Sequence, residues 1–496
     1  MNLMSRFFLV VLFLAALFSV TSCKEDIDFS TNPTDKLVFS SDTVRFDTVF
    51  TVMGSSTRQI RIYNHSSKAL KIESVEIASG KNFSVVLDGF RLNKLNNSSE
   101  GIRRDVEIGA NDSLFVFVEV KINPQDKNSP IFVNDSLVFR TNGNVQRVRL
   151  EAYGQDVKIL RGRTFTSDTT LTGERPFLVY DSLIVAKGAK LTLQPNVRLF
   201  FHDQSFCRID GQISSKGSMS QPVVFRGDRM DYLLPDLPFD LYTGQWGGVS
   251  ISTDSYENEM EFTHIRNGQY ALQLDSSTVD KQKIRLVNCV FKNVNGIVLN
   301  AFNCDVEAIG CEFSNGGADV VRALGGSYMF THCTLNNAFP FGGFSSPTAL
   351  HLINYKLIST KKPITWKNHP LNQATFNNCI IYGNKFTEIT FDNKPNGYVV
   401  TDVPFKFRFD FCLIKANGED DNDFIQTVWD KDPKFLNVNK DDKFIYDLRL
   451  DSLSAAVDKA NLANVVKSPI DMNGISRLAD QGPDIGAYER VKVKGK

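Results

Sequence analysis

The sequence predicts an all-β chain in two parts: a sandwich of short strands, then a solenoid of strands stacked coil upon coil. Three observations carry this. Apolar and polar residues alternate in short runs through the first third of the chain, the period of a half-buried strand. Through the centre a pattern returns every 22 to 24 residues, a spacing that belongs to stacked repeats. Finally, 39 Phe and 32 Gly residues, set among Asn-containing turns, favour strands and tight bends over helices.

Charge narrows the function classes. With 56 basic against 56 acidic side chains the net charge is zero, so nucleic acid is not an expected partner. A hydrophobic content of 42% equally excludes an acidic, disordered chain.

Residues 1–22 read as an export signal. Arg6 supplies the positive start, and Phe7 to Phe18 is an unbroken apolar run too short to span a bilayer. The following Val20-Thr21-Ser22-Cys23 resembles the signal box of bacterial lipoproteins. That resemblance implies cleavage before Cys23 and lipidation of its thiol, palmitate included. Acyl chains on one residue anchor a protein without a spanning helix. The expected place is therefore the outer membrane, with residues 23–35 as a tether. Lys24-Glu25-Asp26 is similar to the pattern that sends some lipoproteins to the outer surface; a periplasm-facing anchor is the alternative. Seven cysteines remain, Cys207, Cys289, Cys304, Cys311, Cys333, Cys379 and Cys412. An odd number excludes full pairing within one chain, and no pair sits beside His at zinc-binding spacing, so no metal is expected there.

Residues 36–156 are expected to form the sandwich. Alternating runs at Gln59–Tyr63, Ser113–Val120 and Val145–Leu150 are separated by turn clusters at Asn64–Ser67, Asn111–Ser113 and Thr141–Asn144. The order of "IRIYNHSSKALKIESVEI", "FSVV" and "DSLVFRTNGNVQRVRLEAYGQ" resembles hydin-type Ig-like domains. This implies a spacer or contact domain without catalytic residues.

Residues 157–450 carry the repeat. Ile265, Cys289, Cys311 and Cys333 stand 24, 22 and 22 residues apart. Cys379 follows after 46, near two periods, and Cys412 after 33. The period is too short for helical-pair repeats or propeller blades, which leaves coils of short strands about 4.8 Å apart. Asn267, Asn293, Asn315, Asn337, Asn384 and Asn417 follow the anchors, as turns with left-handed backbone favour. A second strand per coil shows at Ala271–Leu274, Gly296–Leu299 and Ala349–Leu352. The stretch "GAKLTLQPNVRLFFHDQSFCRIDGQISSKGSMSQPVVFRG" resembles the opening coils of right-handed parallel β-helix proteins of the pectate-lyase-like fold, and "GQWGGVSI" their next rung. Residues 451–496 include "SPIDMNGISRLADQGPDIGAYE", similar to a closing segment of the same class, and end in a basic tail. An insertion at Leu233 to Tyr242 departs from the simple pattern. The repeated cysteines are expected inside the bore as stacked free thiols. The Ig-like domain and the closing segment are the candidates to cover the coil's ends.

Such coils host polysaccharide lyases and glycoside hydrolases as well as inert adhesins, so the fold alone does not choose. A lyase needs clustered acids for Ca²⁺ and a cationic base; Lys283, Arg285, Asp305 and Glu307 are the candidate set, against the plainer reading of a solvated charged face. A hydrolase needs two opposed carboxylates, yet Asp420, Asp421 and Asp423 read as a surface loop. His264 and His332, equivalent beside the repeat anchor, read as structural. His351, between Leu350 and Leu352, is expected to face outward and to join Gln273, with Arg322, as a candidate ligand-binding residue along one exposed face. Sugars stack on aromatic faces, and two loops offer them: Tyr232, Phe239, Tyr242 and Trp246, then Phe339, Phe341 and Phe344. Packing onto the coil is the competing reading, and the expected one for Trp246. The function expected is a lipid-anchored cell-envelope surface protein, without catalysis or cofactor, that binds glycan or another extracellular ligand. The alternative is a polysaccharide lyase or glycoside hydrolase on an acidic polysaccharide, with Ca²⁺ in the lyase case.

Overall fold

A computed structural model describes residues 27–92, 101–234, 237–278, 281–338, 347–359, 364–395, 402–438 and 446–490. The chain is all-β and forms two compact units, one of Met1–Asn123 with Ile131–Gly154, the other of Pro124–Pro130 with Gln155–Lys496. Cys23 and Phe339, Phe341 and Phe344 lie outside the described residues.

The first unit holds two five-stranded sheets among the described residues. Arg58–Tyr63 pairs antiparallel with Ser113–Val120, and Ile131–Thr141 with Asn144–Gln155. Alternate residues of both sheets, among them Ile62, Val85, Val118, Ile72, Phe139 and Val148, enter one shared core. Period-two alternation therefore produces a two-sheet sandwich around one core, with Phe115, Phe117, Phe132 and Tyr153 among its exposed outer residues.

In the second unit 26 described strands form a single ladder whose rungs run parallel from coil to coil. Each coil contributes three strands, so the coil has three faces. The first runs through Val249–Ile251, Leu272–Leu274, the start of Leu299–Ile309, the start of Val321–Thr331, Leu350–Ile353 and Ile389–Asp392. The second runs through Asn258–Glu261, Gln282–Val287, the ends of the same two long strands, and Leu371–Asn377. The third runs through Val223–Gly227, Thr263–Arg266, Val290–Val294, Glu312–Gly316, Thr334–Asn337 and Ile380–Gly383. This is a parallel β-helix.

The repeat anchors mark one corner of the coil. Cys289, Cys311, Cys333, Cys379 and Cys412 each follow a residue with left-handed backbone: Asn288, Gly310, His332, Asn378 and Phe411, with φ between 50° and 62°. Asn and Gly suit that conformation, and the small thiol then fits inside. All seven described cysteines are buried and free. Two details differ from the sequence expectation. The first corner member is Thr263, after Phe262, because His264 pairs with Val290; Ile265 is the counterpart of Phe291. The 46-residue step is one coil rather than two, since Thr334 pairs directly with Ile380. Extra residues, including the hairpin Tyr355–Ser359 with Thr365–Asn368, lengthen that coil without adding a rung. At another corner Asn267, Asn293 and Asn315 also adopt left-handed backbone, with φ 68°, 55° and 58°, and the Asn315 amide donates to Asn293 Oδ1 at 3.0 Å.

Aromatic rings stack along the bore. Phe330, Phe376, Phe409 and Phe424 follow one another at centroid distances of 5.0, 4.9 and 5.0 Å. Trp246 is buried as expected, 4.1 Å from Phe201, with its Nε1 donating to the Arg266 carbonyl at 2.8 Å. Among the described residues the closing segment packs on the side of the coil. It lies along the third face, with Met472, Ala487 and Tyr488 against Val290, and with Leu450, Ala456 and Ile485 against Ile380 and Leu413. On that face the segment covers the outward apolar residues Val290, Ile380 and Leu413 and so removes their hydrocarbon from water.

Candidate functional site

The structure divides the charged set predicted on the second face, with Lys283 inside and Arg285, Asp305 and Glu307 outward. The ladder steps from Gln282 opposite Asp305 to Ile284 opposite Val306, which leaves Lys283 as an extra, bulged residue. A bulge re-aims a side chain, and here it turns Lys283 inward, where it is 0% exposed. Its Nζ donates to the carbonyls of Ser252, Thr253 and Ser255 at 2.6, 3.0 and 3.0 Å and to that of Ser276 at 3.4 Å. Lys283 is therefore held inward by four carbonyls, a correction to its expected place on the outward face. Arg285 and Glu307 do face outward on adjacent coils, but they answer each other at 3.1 Å. Asp305 flanks the pair; burial and the Glu307 charge raise its pKa. An Arg stands between Glu259 and Glu307 in the ladder, and no three acidic, His or Cys side chains converge on a metal-sized site among the described residues. These residues do not fit a Ca²⁺ ion.

The first face behaves as the sequence suggested. Ser250, Gln273, Asn300, Arg322, His351 and Thr390 are Cα partners on successive coils, and all are half-buried and outward. The column ends in a cluster that sequence reasoning missed. Asp319 takes Arg322 at 2.7 Å and His351 Nδ1 at 2.9 Å. His351 Nε2 looks to Asp392 at 3.8 Å, and Asp392 accepts from the Tyr355 hydroxyl at 2.7 Å. Only the i, i+3 spacing of Asp319 and Arg322 hinted at this.

Burial pushes the Asp319 carboxyl up, but the His351 hydrogen bond, the Thr348 N–H and the His351 and Arg322 charges hold it down at about 2. Burial pulls His351 down, and its hydrogen bond to Asp319 together with the nearby Asp392 carboxylate more than reverses this, so its pKa is raised above 6.5. The two shifts have opposite pH signatures. The depressed Asp319 contributes stability that is present above its ordinary 3.8 and lost as pH falls through about 2. The raised His351 contributes stability that is complete below 6.5 and lost as pH rises through its folded value. An Asp319→Asn chain should thus lose about 2 kcal/mol against the parent between these limits. Urea midpoints measured across pH should show the two curves converging on the acid flank and the gap narrowing, without closing, as His351 deprotonates on the alkaline flank; a constant gap would contradict the assignment.

The aromatic insertion is the second candidate surface. Tyr232–Leu234 pairs with Leu237–Pro238 as a short hairpin, and Phe239–Leu241 forms one 3₁₀ turn. Asp240 fastens this loop to the coil, meeting Arg266 at 2.6 Å and Arg226 at 3.0 Å. Tyr232 and Tyr242 remain 42% and 48% exposed. Phe239 instead packs within the insertion, with the Arg229 guanidinium 4.0 Å above its ring and Tyr242 at its edge. Beneath the loop is a cleft of about 510 Å³ whose walls are Leu233, Leu237, Leu241 and Tyr242 on one side and Gln269 and Asn295 on the other. The Asn295 amide donates to Gln269 Oε1 at 3.0 Å, leaving further amide donors and acceptors for a ligand.

His332 is structural as expected, buried with its Nε2 beside the Asn378 amide at 2.9 Å. Asp420 and Asp421 cap their own surface loop, accepting from Thr427 and from Asp423 and Phe424. His264, by contrast, borders a cleft.

No protein-family model matches the chain, and no curated protein does. Among solved structures, a Porphyromonas gingivalis protein of unknown function is 15% identical with a TM-score of 0.18, covering 24% of this chain and 46% of its own. The chain thus spans less than half the length of that protein. The catalytic domain of a GH87 alpha-1,3-glucanase solved with tetrasaccharides is 9% identical with a TM-score of 0.18, covering 76% of this chain and 88% of its own. The catalytic unit of a thermostable GH87 alpha-1,3-glucanase from Streptomyces thermodiastaticus is 8% identical with a TM-score of 0.16, covering 73% and 89%. Likenesses at these scores carry no argument; the coil rests on its own strand ladder.

Proposed function

We propose that the protein is a lipid-anchored component of the cell envelope that binds an extracellular glycan through its β-helix without turning it over. The observation that carries this reading is the cleft under the insertion. An exposed tyrosine ring and leucine side chains face two side-chain amides across about 510 Å³, room for one or two sugar units. Sugar rings present an apolar face and a rim of hydroxyls, and a ring opposite amides answers both. The self-neutralised Arg285–Glu307 pair and the inward Lys283 support a binding rather than a catalytic role. The anchor rests on the Val20 to Cys23 signature.

The test uses the full chain in detergent on an array of extracellular glycans, followed by titration calorimetry with a retained sugar. Tyr242→Ala should weaken binding about tenfold, the equivalent of about 1.4 kcal/mol of stacking. In the same preparation Cys23→Ala should leave the membrane fraction. Retention of no glycan would defeat the reading. So would release of unsaturated products from uronic-acid polysaccharides that disappears in Arg285→Ala, which would establish the enzymatic alternative.

A further inference from the structure

A second cleft, of about 410 Å³, opens on the third face between the coil, the insertion and the closing segment. Its polar lining includes Asp240, His264, Arg266, Lys292, Glu312 and Tyr488, and its apolar walls include Met219 and Met472. The charges here are unevenly matched. Arg266 and Lys292 are Cα partners on adjacent coils, about 4.8 Å apart, where like charges repel. Asp240 is ion-paired to Arg226 and Arg266, and its charge also reaches Lys292 from beyond ion-pair distance. Arg226 also donates to the carbonyls of Gly227 and Arg229 at 3.1 and 2.7 Å. Glu312 is taken up by the hydroxyls of Tyr488 and Ser314. Asp447, whose charge Lys292 also feels, is held by Arg449 at 2.5 Å. Among the described residues Lys292 is left with no ion pair. Beside it the His264 ring is neutral, its pKa lowered to about 4 by burial and by the Arg266 and Lys292 charges, so it offers one donor and one acceptor.

We propose that this cleft is a binding site for a small organic carboxylate, whose anionic group sits on Lys292 beside His264 and whose body rests against Met472 and Tyr488. The ligand carboxylate repeats for Lys292 what Asp240 does for the two arginines. A charge-assisted bond in a partly enclosed cleft is the strong kind, and a carboxylate at Lys292 also relieves its repulsion with Arg266. The site is separate from the tyrosine-lined cleft and does not depend on the glycan reading. The carboxylate can be carried by a free acid or by a sugar.

Titration calorimetry on the full chain in detergent, with glucuronate, glucose and acetate as probes, tests it. Glucuronate is expected to bind with Kd on the order of 1 mM, and glucose at least tenfold more weakly. Lys292→Gln should abolish the binding and Lys292→Arg should restore it, with melting midpoints of both variants matching the parent. Acetate binding alongside glucuronate assigns the site to free acids, and glucuronate alone to sugar-borne carboxylates; either supports the proposal. It is overturned if neither acid binds, if glucose binds as well as glucuronate, or if Lys292→Gln binds as the parent does.

Discussion

Replacing Arg477 with alanine is expected to destabilise the second unit by about 3–5 kcal/mol, the cost of leaving a buried charge without its partner. Arg477 is 0% exposed, and its Nη1 meets Glu489 Oε2 at 3.2 Å. Its other nitrogens donate to Ser468 Oγ at 3.3 Å and to the Ala487 carbonyl at 3.1 Å. Glu489 in turn accepts from the Asp484 N–H at 3.1 and 3.2 Å, and its own N–H donates to Asp471 at 2.9 Å. Asp471 folds its own turn, accepting from Asn473 and Ile475. The network holds the strand-like stretch Ile485–Tyr488 along the third face. There the Gly486 N–H reaches the Asn378 carbonyl at 2.8 Å, and the Ala487 N–H reaches Thr334 Oγ1 at 2.9 Å. Gly486 has φ +103°, and a Cβ there would stand 2.7 Å from Ile380 Cδ1, so only glycine fits. Urea unfolding of Arg477→Ala should therefore show a lower midpoint, with Tyr488 becoming exposed first. A variant as stable as the parent would mean that the closing segment contributes little to the coil.

In the closing segment Asp471, Arg477, Asp484 and Glu489 bind one another's backbone and side chains within one buried network, a constraint on residue type and spacing. The coil was legible for a related reason: a corner needs a left-handed residue followed by a small inward one, and Asn288-Cys289, Gly310-Cys311 and Asn378-Cys379 repeat that pair. The outward column of Gln273, Arg322 and His351 followed from strict alternation about buried neighbours. What failed was counting. An insertion adds residues without adding a rung, so the step from Cys333 to Cys379 looked like two coils. The cleft around Lys292 was invisible because its walls come from residues 219, 240, 264, 292 and 488, brought together only by the path of the insertion and the closing segment. His264, which looked structural by analogy with His332, borders that cleft because the closing segment covers His332 and leaves His264 at an opening.

Lys283 shows how one residue changes the chemistry. In the run Gln282-Lys283-Ile284-Arg285, parity places Lys283 and Arg285 on the same outward face, and only the bulge sends the lysine inside. Four carbonyls around one ammonium form the kind of cage that otherwise holds a metal cation, and the loop Ser252–Ser255 is drawn around it. Lys283→Met keeps most of the volume but removes the cation, so buried carbonyls lose their donor at about 1–3 kcal/mol each where water does not replace it. The expected loss is about 3 kcal/mol in urea unfolding, with the loop near Tyr256 opening at lower denaturant than the rest of the coil. Arg285→Ala, which breaks a partly exposed pair, should cost about 1 kcal/mol or less. The contrast between these two neighbours decides between a structural and a catalytic lysine. If Lys283→Met were as stable as the parent while altering turnover of any polysaccharide, the inward cage would be the wrong description of this residue, and the base predicted from the sequence would be the right one.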